Sequence, residues 1–284
     1  MTSTYSTVLP VRRGQHRLHA EFTAGDGTPV VLMHGFPDNL HLYDQLMPYL
    51  AGHRPVVRFD FLGWGASDKP VGYPYTATNQ IGDLAAVADA LDTHRLILVA
   101  HDASGPPAID WALANPRRVA LLVLLNTYYH WTPRLRRPPA IALYSTPVLR
   151  TIARSVVRRR PSLDRRLYTW QVGNFITDEA LRRTVVPALY RDFGPARDAF
   201  WSLNADLLGT VWSRRRRTGE LAAFQTPVRV VFGARDRYLN PAVARDFARR
   251  FPNSELNLLP DAGHYVQVDR PRQVADLILR PPPE

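Results

Sequence analysis

The feature that most constrains this chain is an alternation of short apolar runs with amphipathic stretches. "VVLMHG" (30–35), "PVVRFDF" (55–61), "RLILVA" (95–100) and "VALLVLLN" (119–126) are runs of strand length. They are separated by "LYDQLMPYLAG" (42–52), "NQIGDLAAVADALDT" (79–93) and "GPPAIDWALANP" (105–116), which have helical spacing. Continuously apolar strands of this kind are covered on both faces, and helical crossovers between them make neighbouring strands parallel. The pattern stops after Asn126. Residues 127–222 contain no convincing strand and are rich in Arg, Pro and aromatic residues, which predicts a helical insertion. It resumes with "VRVVFG" (228–233), "PAVARDFARRF" (241–251), "SELNLL" (254–259) and "PRQVADLIL" (271–279). The expected organisation is an α/β core over 1–126 and 223–284, with a helical cap over 127–222.

Ligands of open parallel sheets bind beyond the carboxyl ends of the strands. His34, Asp60, Asp102, Asp236 and His264 all fall at or just past such ends. Asp102 is the most telling of these, because a carboxylate at the exit of a buried strand is costly to desolvate. Its surroundings, Ala100-His101-Asp102-Ala103-Ser104-Gly105, have the small flanking residues of a tight strand-to-helix elbow with Asp as its central residue. Ser104 is out of register for that role, because a small residue is needed two positions earlier and Asp102 stands there. Asp236, in "FGARDRYLNP", and His264, in "LPDAGHYVQVDRP", follow in the order nucleophile, acid, histidine.

With "HGFPDN" after the first core strand, "DFLGWGASDKP" after the next, the Asp elbow and "AGHYVQVDRP", the chain resembles the α/β-hydrolases over nearly its whole length. The resemblance implies an α/β-hydrolase fold, with Asp102, Asp236 and His264 as the catalytic set. It also implies an oxyanion hole from the backbone N–H groups of Phe36 and Ala103. An aspartate nucleophile is similar to that of epoxide hydrolases and of haloalkane or haloacetate dehalogenases. Carboxylate attack on an sp³ carbon gives an alkyl ester that water can hydrolyse, whereas attack on an acyl carbon would give a labile anhydride. The haloalkane branch has Asn after its His-Gly pair and Trp after the nucleophile, where this chain has Phe36 and Ala103. The haloacetate branch has Arg soon after the nucleophile, where Ser104, Gly105 and Pro106 stand. His34-Gly35-Phe36-Pro37 resembles the epoxide hydrolase motif. The expectation is therefore an epoxide hydrolase acting on a fairly bulky substrate. Tyr144 (with Tyr168 as its rival) and Trp201 would hold the epoxide oxygen. A dehalogenase and a non-hydrolytic biosynthetic protein of the same fold are the alternatives.

His34 and His101 read as residues that shape and pack the site loops. Asp60, Asp68 and Asp261 read as turn residues, and Asn126 as a position where some relatives place the acid. No metal-ligand spacing and no phosphate-binding Gly loop occurs, so no cofactor is expected.

The net charge is +11, and 127–220 carries all of it, with eighteen Arg against seven carboxylates. A solvated basic face explains it most simply; an anionic substrate or an acidic carrier protein are the functional readings. No nucleic-acid motif accompanies the charge. No run approaches the roughly 20 apolar residues of a membrane span, so neither nucleic acid nor membrane is expected as a partner. A homodimer is left open. The chain has no cysteine, and "MTSTYSTVLPVRRGQ" lacks the pattern of a secretory signal, which fits a cytoplasmic protein.

Overall fold

A computed structural model describes residues 6–281; parts of the N-terminal stretch and of the Pro-rich tail "RPPPE" lie outside them. The strands are β1 (Ser6–Arg13), β2 (His16–Thr23), β3 (Val30–Met33), β4 (Val56–Phe59), β5 (Leu96–Asp102), β6 (Val119–Thr127), β7 (Val228–Gly233) and β8 (Ser254–Leu259). They form one sheet in the order β1-β2-β4-β3-β5-β6-β7-β8. From β4 to β8 every neighbouring pair is parallel, as the apolar runs predict.

β1 and β2 are the elements that the sequence reading missed. They form an antiparallel hairpin turning at Gly14 (φ +60°), and β2 pairs antiparallel with β4. Pro10 and the polar residues of β1 hide its strand character, and Pro is tolerated there because β1 is an edge.

Helices α1 (Met47–Leu50), α2 (Ala77–Ala90) and α3 (Gly105–Ala114) lie between the early strands. The stretch 42–52 yields only a 3₁₀ turn at Leu40–Tyr43 and the single turn of α1. Helices α4 (Pro139–Ser145), α5 (Pro147–Arg159), α6 (Pro161–Gly173), α7 (Glu179–Arg191) and α8 (Arg197–Arg215) are inserted between β6 and β7. Helices α9 (Pro241–Arg250), α10 (Val266–Asp269) and α11 (Pro271–Leu279) complete the core. Among the described residues, no helix is long and apolar enough to cross a membrane.

Two arginines of the basic segment are tied to one buried carboxylate of the core. Arg214, near the end of α8, donates through Nε to Asp110 of α3 (2.8 Å), and Arg217 donates to the other carboxylate oxygen (2.7 Å). Tyr129 donates to the same carboxylate (2.9 Å), so the end of the insertion is tied to the core by a satisfied buried network. Arg229 of β7 is 1% exposed and binds the carbonyls of Arg280 and Pro281 (3.0 and 3.1 Å).

Candidate active site

β5 runs through the middle of the sheet between β3 and β6, and Leu96, Leu98, Val99 and Ala100 are fully buried. Its last residue, Asp102, has φ +49°, a left-handed conformation uncommon for non-glycine residues and taken most often by Asn, Asp and His. The turn is over-determined by its neighbours. The Ser104 hydroxyl accepts from His101 N–H (2.9 Å) and is shared between the carbonyls of Met33 and His101 (2.9 and 2.8 Å). Ser104 therefore latches the elbow. A Cβ on Gly105 would stand 1.9 Å from Thr127 Oγ1, so only glycine lets α3 start this close to β6. Gly35 plays the matching part on the opposite loop, where a Cβ would meet Asp102 Cβ at 2.6 Å.

The three predicted side chains come together. His264 Nδ1 lies 2.7 Å from Asp236 Oδ2, which assigns the proton to Nδ1 and leaves Nε2 as an acceptor. Nε2 is 3.9 Å from Asp102 Oδ1, too far for a hydrogen bond. Phe36 N–H donates to Asp102 Oδ2 (3.3 Å), and the Ala103 N–H helps hold the same carboxyl down. The Phe36–Pro37 peptide bond is cis.

Burial is the largest influence on all three groups. It pushes the Asp102 carboxyl above its ordinary range, against the pull of His264 and the two N–H donors. It would raise Asp236 too, but the His264 charge and hydrogen bond outweigh it and hold that carboxyl low. It would lower His264, but the Asp236 charge and hydrogen bond outweigh it and hold the imidazole above its usual value.

Several supporting residues complete the set, and of these only Asn126 was singled out by sequence. Asn126 (φ +26°) donates to Asp236 Oδ2 (2.9 Å) and accepts from Gly233 N–H (2.7 Å), so it fixes the carboxylate rather than replacing it. Asp236 Oδ1 accepts from the N–H groups of Tyr238 and Leu239 (2.8 and 3.1 Å). Buried Asp38 accepts from Tyr265 O–H (2.7 Å); burial pushes its carboxyl up to about 7, the tyrosine opposes this, and Asp102 adds to it. The "HGFPDN" motif displayed Asp38, but nothing in it announced Tyr265.

The remaining candidates have structural partners. His34 donates through Nδ1 to Gly35 O (2.6 Å) and accepts from Phe61 N–H (3.3 Å), which shapes its loop. His101 bonds the His264 carbonyl (3.1 Å) and packs against its ring at 4.8 Å. Asp60 and Asp68 accept from backbone N–H groups of Leu40 and Arg17 (2.8 and 2.7 Å), and Asp261 pairs with Arg235 (2.9 Å) at the surface.

A cavity of about 320 Å³ opens over Asp102 and His264. Tyr144 and Trp201 do not line it, a correction to the cap expectation. They pack edge to face at 5.1 Å in a separate small pocket, and Phe200 stands between Tyr144 and Phe36 (ring centroids 5.4 and 6.1 Å). Tyr168 donates to Pro37 O (3.2 Å) and lines that same pocket. Tyr128, Gln171, Trp131, Trp212 and Tyr238 are among the residues that do line the cavity. Tyr128 directly follows β6, at the site-bearing edge of the sheet, and that position was its only signal in the sequence. Its hydroxyl has no hydrogen-bond partner among the described residues. Burial, with the Asp102 charge adding to it, keeps this phenol protonated.

Residues 28–271 match the family model described as alpha/beta hydrolase fold. The chain belongs to that family. It is similar to a cis-3-alkyl-4-alkyloxetan-2-one decarboxylase of Shewanella oneidensis, 26% identical over 94% of this chain and 87% of the relative. It is also similar to haloalkane dehalogenase 2 of Mycobacterium tuberculosis, 25% identical over 90% of this chain and 88% of the relative. A solved structure of 2-hydroxy-6-oxo-6-phenylhexa-2,4-dienoate hydrolase from Rhodococcus sp. strain RHA1 shares the fold, with TM-score 0.81, 18% identity and 98% of both chains covered. The chain is a hydrolase of the α/β-hydrolase superfamily.

Proposed function

We propose that this hydrolase opens an epoxide on a fairly bulky organic substrate through an ester on Asp102. The observation that carries the reading is a carboxylate, not a hydroxyl, at the φ +49° turn, with His264 Nε2 unbonded 3.9 Å away. An Asp102 oxygen attacks an epoxide carbon and the ring C–O bond breaks. The freed oxygen takes a proton from Tyr128, the phenol that this reading substitutes for Tyr144 and Trp201. His264 Nε2 then takes a proton from water, and the resulting hydroxide adds to Asp102 Cγ. Phe36 and Ala103 N–H groups stabilise the oxyanion of that adduct. Its collapse breaks the bond from Cγ to the alkyl oxygen and leaves Asp102 as a carboxylic acid. The departing alkoxide takes the imidazolium proton to give the diol, and the Asp102 acid proton passes through water to the Tyr128 phenolate, which restores both groups.

A halide leaves without needing a proton, so a neutral phenol over Asp102 favours an oxygen leaving group over a halide. The relatives support the chemistry from two sides. One is named for displacing halogen from a haloalkane, the other for decarboxylating an oxetanone, which is a small strained oxygen ring.

Single turnover in heavy-oxygen water, with enzyme in excess, tests the ester. The expected first-turnover diol carries ordinary oxygen at the attacked carbon, because that oxygen comes from Asp102. Heavy oxygen there in the first turnover would mean direct attack by water and would overturn the reading.

The pH profile gives a second check. His264 acts as a base only when neutral, and its pKa is raised. The acid limb of kcat/KM is therefore expected to have its midpoint above the ordinary imidazole value of about 6.5. Protonation of Asp102, also raised, removes activity in the same direction, so the limb belongs to the coupled pair. A midpoint below the ordinary value would contradict the assignment of His264 as the base.

A further inference from the structure

The cavity over Asp102 has two kinds of wall. Most of its lining is aromatic or aliphatic, and among the described residues Asp102 is the only carboxylate in it. Its exposed lining residues are Arg136, Arg137 and Trp212, which places these three at the mouth and Asp102 in the enclosed part. Both arginines precede α4 in a loop that is fastened down. Arg136 N–H donates to Tyr238 O (3.3 Å), and Arg137 Nη1 donates to the buried Ser145 hydroxyl (2.9 Å). Neither arginine forms an ion pair among the described residues, whereas Arg214, Arg217 and Arg154 all have carboxylate partners. Two uncompensated cations therefore stand at the rim of an apolar cavity whose one anion lies inside.

We propose that the substrate is an amphiphile whose anionic end is held by Arg136 and Arg137 while its apolar body fills the cavity. This rests on the reading of Asp102 as the reacting group only for which carbon is attacked; recognition of the anion stands apart from it. The charges also set the direction of binding. An anionic group driven inward would meet the desolvated Asp102 carboxylate, where like charges repel strongly. At the rim it meets guanidinium groups suited to pairing with a carboxylate. A substrate read this way enters apolar end first, so its reactive carbon sits at a fixed distance from its charged end.

The test uses octanoate and octanol as unreactive probes, followed by the fluorescence of Trp131 and Trp212. These two rings stack at 4.9 Å and line the cavity. In the unaltered protein octanoate is expected to bind about tenfold more tightly than octanol, with the difference shrinking at high salt. In R136Q/R137Q the two probes are expected to bind alike. R136E is expected to favour octylammonium over octanoate, a gain that misfolding cannot produce. Equal binding of acid and alcohol in the unaltered protein would overturn the proposal. So would an acid preference that survives in R136Q/R137Q, or an R136E protein that still prefers the acid. Parallel assays with a carboxylate-terminated epoxide and its methyl ester separate this proposal from the one beneath it. Octanoate binding through the arginines without turnover of either epoxide would sink only the epoxide reading. Turnover of both with no preference for the acid would sink only the anion site.

Discussion

Asp102→Asn is expected to lower kcat/KM by on the order of 10⁴-fold or more while the protein stays folded. The amide is isosteric with the carboxylate, and Asn tolerates the left-handed backbone that the elbow requires. It cannot attack an sp³ carbon, so the first step is lost rather than slowed. The fold has no reason to suffer. The Asp102 carboxyl is raised above its ordinary range by burial, so its protonated form is the one folding favours. Its ionisation therefore costs stability as pH rises through the raised folded pKa, and a neutral amide removes that cost. Thermal unfolding near neutral pH is expected at an unchanged or higher temperature than for the parent, a trade of stability for function that active sites commonly show. Full activity in Asp102→Asn would remove Asp102 as the nucleophile. Loss of activity together with loss of cooperative unfolding would show a structural role instead.

His264→Gln is expected to separate the two steps. Asp102 still alkylates itself, because the attack needs no base, but the ester is no longer hydrolysed. Removing a general base slows a step by roughly 10²–10⁴-fold. Substrate should then disappear in a burst bounded by one equivalent per enzyme, while the diol is released only at a very slow steady rate. Intact-protein mass should rise by the mass of the whole epoxide, and the added mass should map to the peptide that holds Asp102. Gain of an alkyl group with release of halide would instead assign the dehalogenase chemistry. A variant that turns over no substrate and traps none, while the unaltered protein turns the same substrate over, would argue against an ester altogether.

These two experiments rest on residues that the sequence displayed and the structure joined. The parallel core was legible because its strands are buried on both faces and read as continuous apolar runs. Asp102, Asp236 and His264 were legible because each follows such a run, at the one edge of the sheet where ligands collect. The hairpin of β1 and β2 was not, because an edge strand carries polar residues and a proline that a central strand would reject.

Side chains that meet across the fold were decided only by the tertiary structure. Asn126 and Asp236 are 110 positions apart, and Tyr265 and Asp38 are 227 apart. No local pattern encodes such a contact. The insertion shows the limit most clearly. Tyr144 and Trp201 have the chemistry expected of oxygen-binding residues, yet they face a neighbouring pocket, while Tyr128 from the end of β6 faces the cavity. A strand end fixes where its next residue points, because the sheet is rigid and its register is set by hydrogen bonds. A helix of an inserted layer can be rotated about its axis by whatever packs beneath it, so which of its aromatics reaches the substrate is settled by packing. The sequence by itself determined the edge that carries the candidate site and the order of its groups, and the packing of the inserted helices determined which of their side chains reach it.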